Sequence, residues 1–341
     1  MTDISGTFAA SPRQDIAPLG GNVDIKASFQ TVVETGETAP ATALARINDT
    51  VARLLFGPPD PASRSLSGWS WPGPPEGSAF PEGGLTATLS GGRLTLQGRQ
   101  FFRTANQSGD GALLLVLDAD PAKGGYIVYL EGKTAIQPGG LIFNRAGFQF
   151  DELILSEPLR VVPLGAVGAH ILRQKLVYGT LVEELLHAAL DYGIVRSFSA
   201  AAHSHITTRT RAWQGEALAK ATDDPHLVRR YGEYVATRHA LEELITEARD
   251  AVARLTPQAP MEAIHQAGDA VAAARMFALL AGRLIINGTL ELLGAGATSQ
   301  RYGFDGYWRD FSAHGVAYPP RRPLEKIGRA LVDDSKREVA V

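Results

Sequence analysis

Phe148-Gln149-Phe150-Asp151-Glu152-Leu153-Ile154-Leu155 is the last short segment of strand character in this chain. Pro158 and Pro163 follow it. From Leu164 onward the pattern changes, and between His170 and His205 the residues Leu172, Leu176, Leu181, Leu185 and Ile194 recur at broadly helical spacing. A two-residue period points alternate side chains to opposite faces of a strand, whereas a 3.6-residue period lines one face of a helix. The boundary near residue 163 therefore divides a β region from a helical region, and the fold class follows from what lies on each side.

Upstream, Leu85-Thr86-Ala87-Thr88-Leu89, the turn Ser90-Gly91-Gly92, and Arg93-Leu94-Thr95-Leu96-Gln97 form a hairpin pattern with alternating faces. Ala112–Asp118 and Gly125–Leu130 are further short strands bounded by Gly, Asp and Pro. No helical segment of 10–15 residues separates them, so a small sandwich or barrel is predicted and a Rossmann-type alternation is excluded. Downstream, helices are predicted over Asp224–Leu255, opened by Asp223-Asp224-Pro225, and over the Ala-rich Met261–Leu293, which ends at Gly294. Shorter pieces include Tyr307–Phe311 and Leu324–Val332. Helices of roughly 30 residues, about 45 Å long, joined by short breaks imply an antiparallel bundle. Ahead of the strands come two modest helical patches, Val23–Glu34 and Thr42–Leu55, then Gly57-Pro58-Pro59 and a Pro/Gly/Ser-dense stretch holding Trp69 and Trp71. The expected organisation is a mostly α, α+β chain: a short helical lead (1–62), a middle β-domain (63–162) and a C-terminal four-helix bundle (163–341).

Composition narrows the function. In 341 residues, 45% are hydrophobic and 20% charged, which is globular and not disordered. The net charge of −3 provides no field to gather nucleic acid or an anionic membrane surface. There are no cysteines, so disulfides, zinc ribbons, iron–sulfur clusters and thiol nucleophiles are excluded. No apolar run reaches the roughly 20 residues of a membrane span, and no secretory leader is visible. A soluble, cytoplasmic protein without nucleic-acid or membrane partners is expected.

The order of lead, β-domain and bundle resembles the acyl-CoA dehydrogenase superfamily. Gly98-Arg99-Gln100-Phe101-Phe102-Arg103-Thr104 and Phe148–Leu153 resemble strand segments of that family, and Leu293–Ala297 followed by Tyr307-Trp308-Arg309-Asp310 resembles its last bundle helices. Three stretches are similar to its flavin-dependent monooxygenase branch, which includes dibenzothiophene monooxygenase: Leu186–Ile194; Thr210–Trp213 with Asp223-Asp224-Pro225; and Ala297-Thr298-Ser299 with Asp305–Arg309.

What the resemblance implies is a flavin cofactor, FMN or FAD, taken up in reduced form from a separate flavin reductase. It also implies a small-molecule substrate and a homodimer or homotetramer. By position, Ser70 and Thr104 match hydroxyls set against the flavin ring, Phe102 an aromatic stacked on it, and Arg211 (or Arg209) an arginine that reaches a flavin phosphate. Gly294 matches a turn that admits close backbone approach, and Arg309 belongs to the same cofactor-side motif. His314 matches a pocket histidine five residues after Arg309; the branch's second histidine is Ala317 here. The two glutamate positions that serve acyl-CoA dehydrogenation fall on Tyr318 and Leu172. A dehydrogenase would need Tyr318 as base, and a phenol of ordinary pKa about 10 needs a large shift for that. His314 and Tyr318 are thus the catalytic candidates. Two alternatives stand beside the monooxygenase: a dehydrogenase-like flavoprotein with an atypical base, and a catalytically reduced subunit acting with a full-length paralogue. The short lead, about 60 residues, favours the last.

Other signals have bland explanations. His203-Ser204-His205, near Asp223, Asp224 and His226, reads as a solvated helix end, not a metal site, because residues at i and i+2 on a helix point apart. His187 reads as a satisfied core or pocket-wall histidine. Gly294-Ala295-Gly296 follows no strand, so it is no dinucleotide fingerprint. Arg229-Arg230 and Arg321-Arg322 read as solvated charge.

Overall fold

The computed structural model describes residues 23–56, 66–70, 86–90, 93–104, 111–118, 125–131, 145–156, 161–163, 165–212 and 217–317, with 324, 325 and 328. Seven strands are followed by long helices. In chain order they are α1 (Ile25–Thr38), α2 (Pro40–Phe56), β1 (Leu66–Ser70), β2 (Thr86–Ser90), β3 (Arg93–Thr104), β4 (Gly111–Asp118), β5 (Gly125–Glu131), β6 (Arg145–Ser156), β7 (Val161–Pro163), α3 (Gly165–Thr208), α4 (Pro225–Ala253), α5 (Met261–Leu293) and α6 (Phe304–Ala317). One compact unit contains Asn48–Val177 and with it the whole sheet; a second combines Val23–Ile47 with Tyr178–Ala340.

The hairpin read from the sequence is present: Thr86 pairs with Gln97 and Ser90 with Arg93, antiparallel. Strand β3 is longer than that hairpin and continues, past an irregularity between Leu96 and Gly98, to Thr104 along β6. Its far end pairs with β1, with Gly68 opposite Thr104 and Trp69 opposite Arg103. Both β1 and β2 also pair in parallel with β4. The two short strands thus lie end to end between β3 and β4, and the sheet runs on through β5 to β7. Strand β1 was not foreseen. It lies in the Pro/Gly/Ser-dense stretch and takes its strand conformation from two neighbours, not from a pattern of its own.

In the helical unit the ends are set by local chemistry. The Asp24 side chain accepts from the Ala27 amide at 3.0 Å to start α1. Asp224 accepts from the His226 amide at 2.8 Å, with Pro225 at the first helical position of α4. Helix α5 stops at Gly294, whose φ of +80° suits a residue without a Cβ. Helix α3, 44 residues and about 66 Å long, is the centre of the packing. Every residue from 181 to 195 is buried except Glu184, which is half-buried. The core around it includes Leu185, Leu190, Val195 and Phe198 with Leu241, Ile245, Ile285, Ile286 and Phe311. Helix α1 crosses α3 where Gly193 meets Val33: a Cβ on Gly193 would lie 2.4 Å from the Val33 carbonyl oxygen. The expected last helical piece, Leu324–Val332, falls outside the described residues but for Leu324, Glu325 and Gly328.

Candidate functional site

A helix surrounded on all sides by apolar neighbours should carry apolar side chains, because an uncompensated charge there costs several kcal/mol. Helix α3 breaks this rule at Glu183, His187 and Asp191. The spacing is four residues each time, so the three lie along one helix face. All three are buried, His187 at 1% and Asp191 at 0% exposure.

Two other helices complete the group. From α6, His314 (0% exposed) places Nδ1 2.5 Å from Asp191 Oδ1. From α5, the equally buried Arg275 donates through a terminal guanidinium nitrogen to Asp191 Oδ2. The remaining nitrogen of His314, Nε2, is 2.9 Å from His187 Nδ1. His187 Nε2 is 3.7 Å from Glu183 Oε1, and Arg275 Nε is 3.5 Å from Glu184 Oε2. The result is a linked array, His187–His314–Asp191–Arg275, within the helical unit, with the Glu183 and Glu184 carboxylates near its two ends.

Burial pushes the Asp191 carboxyl upward, but the His314 and Arg275 charges and their hydrogen bonds outweigh it and hold the group below its ordinary range. Asp191 is a carboxylate, an acceptor only, so the hydrogen between it and His314 sits on His314 Nδ1. A histidine–carboxylate pair of this kind fixes the tautomer and orientation of the ring.

The other predicted residues separate by unit. Ser70 ends β1, and Phe102 and Thr104 lie in β3. In the β1–β3 pair Gly68 lies opposite Thr104 and Trp69 opposite Arg103, and Ser70, the last residue of β1, pairs with Leu114 of β4. In the helical unit, Arg211 is exposed in the segment after α3. The Arg209 guanidinium lies 5.5 Å from the Tyr302 ring centre. Gly294 caps α5 with open space where a Cβ would stand. Arg309 is exposed and pairs with Asp305 at 3.1 Å, one turn earlier. Tyr318 lies outside the described residues. His314 is the predicted residue that the buried array contains.

Asp191 and Arg275 had been given no role. The available signal was the Glu-x-x-x-His-x-x-x-Asp spacing inside an apolar run, together with a lone arginine in the Ala-rich segment Val271–Ala281. One expectation is corrected: His205 is not solvated. It is buried, with its ring edge-on to Tyr302 at 4.8 Å and to Phe304 at 5.4 Å. His203 is exposed, and it lines a separate cavity of about 300 Å³ with Arg196, Tyr231, Arg238 and Thr289. Among the described residues no helix is long and apolar enough to cross a membrane.

No family model matches the chain. Dibenzothiophene monooxygenase of Rhodococcus erythropolis is 28% identical over 155 residues, covering 43% of this chain and 36% of the relative. The probable FMNH2-dependent monooxygenase SfnC of Pseudomonas putida is 23% identical over 208 residues, 60% of this chain and 50% of the relative. The chain thus spans between about a third and a half of the length of these curated relatives. Among solved structures, the complex of TdsC from Paenibacillus sp. A11-2 with FMN and indole superimposes with a TM-score of 0.73 at 18% identity, over 91% of this chain and 84% of that one. The chain has the acyl-CoA dehydrogenase fold, and part of its sequence is similar to dibenzothiophene monooxygenases.

Proposed function

We propose that this protein is a flavin-dependent monooxygenase that takes reduced FMN or FAD from a separate reductase and oxygenates a small organic molecule, working as a homodimer or homotetramer. The observation that carries the reading is the buried His187–His314–Asp191–Arg275 array, a proton-handling group closed off from water, in a chain whose sequence relatives are monooxygenases. Oxygen chemistry on reduced flavin needs a managed proton in a dry environment, where electrostatic interactions are strong and competing hydrolysis is suppressed.

The chemistry of the chain's own residues fits a flavin. Ser70 and Thr104 carry hydroxyls able to hydrogen-bond a ring edge and Phe102 an aromatic ring able to stack on a ring face, all three on the paired strands β1 and β3. Within the helical unit by itself, Arg211 and Arg309 carry exposed guanidinium groups suited to a phosphate, and Gly294 leaves open space where a Cβ would stand. When bound, reduced flavin supplies the electrons that activate dioxygen. The chain's part is to hold the ring, exclude water, and keep a proton at His314 beside the Asp191 carboxylate.

Dehydrogenation of an acyl thioester is disfavoured because it requires a carboxylate base. Asp191, a fully buried carboxylate, is bound by Arg275 and His314 and held well ionised, which makes it a poor proton acceptor.

Titration of the purified protein with FMN and FAD, oxidised and reduced, tests the proposal. Preferential binding of the reduced form, with a transient absorbing species on mixing with oxygen and a product containing one oxygen atom from dioxygen, is the expected result. Tight binding of oxidised FAD without oxygen transfer would favour the dehydrogenase. Failure to bind flavin in any form would refute both and favour a catalytically reduced subunit.

A further inference from the structure

Both ring nitrogens of His314 are engaged: Nδ1 with Asp191 at 2.5 Å and Nε2 with His187 at 2.9 Å. We infer that His187 and His314 form a two-ring proton relay in which the exchanging atom is His187 Nε2, while Asp191 and Arg275 are positioning residues that fix its polarity.

The argument follows from the hydrogens. Asp191 can only accept, so His314 keeps hydrogen on Nδ1. In the neutral state His314 Nε2 is then a bare acceptor, and His187 must donate to it from Nδ1. A neutral imidazole carries one hydrogen, so His187 Nε2 is bare and accepts the next proton. When a proton bonds there, the His187 Nδ1–H bond breaks and its hydrogen bonds to His314 Nε2. One proton has entered, one N–H bond has broken and two have formed, no electrons have left the rings, and the positive charge rests on His314 against the Asp191 carboxylate. His187 ends neutral, as the other tautomer. The reverse sequence delivers the proton. Glu183 Oε1, 3.7 Å from His187 Nε2, faces the exchanging end. Charged groups near the pair include Glu183, Glu184 and Asp191 on α3, Arg275 and Arg283 on α5, the latter beside Gly315, and Asp310 one turn before His314 on α6. Arg275 is bonded to the opposite carboxylate oxygen, which leaves Oδ1 to His314.

The use of this relay in catalysis rests on the monooxygenase reading, whereas its protonation behaviour does not. The test is therefore made on the full chain without flavin, labelled with ¹⁵N-histidine and followed by NMR from pH 5 to 9. The variants His187→Gln and His314→Gln assign the signals, and either one suffices for the pair. Both rings should change together at one midpoint, with His314 Nδ1 protonated throughout and His187 moving its hydrogen from Nδ1 to Nε2. Asp191→Asn removes the carboxylate against which the imidazolium rests, so the charge should no longer settle on His314 in preference to His187. Separate midpoints for the two rings, loss of hydrogen from His314 Nδ1, or charge resting on His187 would overturn the relay, and the unmodified protein alone suffices to show any of these. If flavin then fails to bind, the monooxygenase reading falls while the titration result stands. If flavin binds and the rings titrate independently, only the relay falls.

Discussion

Replacing Arg275 by methionine is the sharpest test of the buried array's energetics. Methionine keeps much of the length and apolar volume of the arginine stem but removes the donor to Asp191 and the charge near Glu184. Asp191 and Arg275 both have 0% exposure, so solvent screening cannot compensate. Removing one member of a buried ion pair costs about 3–5 kcal/mol, because the other charge stays desolvated. At the size of this helical unit that corresponds to a fall in Tm of roughly 6–20 °C. The double variant Arg275→Met, Asp191→Asn removes the stranded charge too and should recover most of the loss. The pH dependence has a defined sign. The native Asp191 carboxyl lies below the ordinary aspartate range, so its contribution is present above that range and lost as pH falls through the lower folded pKa. Without Arg275 the folded pKa rises, and acid unfolding should begin at higher pH. Urea melts followed by far-UV circular dichroism at pH 7 and pH 4.5 would measure both effects. A single variant within about 0.5 kcal/mol of the parent, or a double variant no more stable than the single, would refute the claim that these charges are desolvated against one another.

Three further outcomes are expected. Gly193→Ala should lower Tm by several degrees, because its Cβ would fall 2.4 Å from the Val33 carbonyl oxygen and push α1 off α3; Gly232→Ala, inside α4 with nothing within 4 Å, should instead stabilise by about 0.5–1 kcal/mol. Thr104→Val and Ser70→Ala should each weaken reduced-flavin binding by roughly tenfold, about 1.4 kcal/mol, with Tm unchanged; unaltered affinity in both would remove them from the cofactor site. Arg309→Ala should leave Tm nearly unchanged, since its pair with Asp305 is exposed, so any fall in flavin affinity measured by titration would report a cofactor contact.

Much of the architecture was legible because it is written in short-range patterns. The β2–β3 hairpin follows from alternation around Ser90-Gly91-Gly92, α4 from Asp224-Pro225, and the end of α5 from Gly294. What escaped were elements defined by their neighbours. Strand β1 exists as a strand through its pairing with β3 and β4, and β7 is a three-residue segment paired to β5. His205 looked solvated near a helix terminus because the rings that cover it, Tyr302 and Phe304, are about a hundred residues away.

The candidate site divides along the same line. That histidines and acids stand in the helices is readable from residue spacing: the four-residue interval of Glu183, His187 and Asp191 puts them on one face wherever α3 forms, and the resemblance singles out His314. That Asp191 meets both Arg275 and His314, residues 84 and 123 positions away, and that the two imidazoles touch, comes from helix packing alone. The physical reason is that helical periodicity fixes angular position on a helix and nothing about what packs against it. The partner of a buried charge is chosen by three helices packing together, through the cost of leaving any one of those charges without its counterpart.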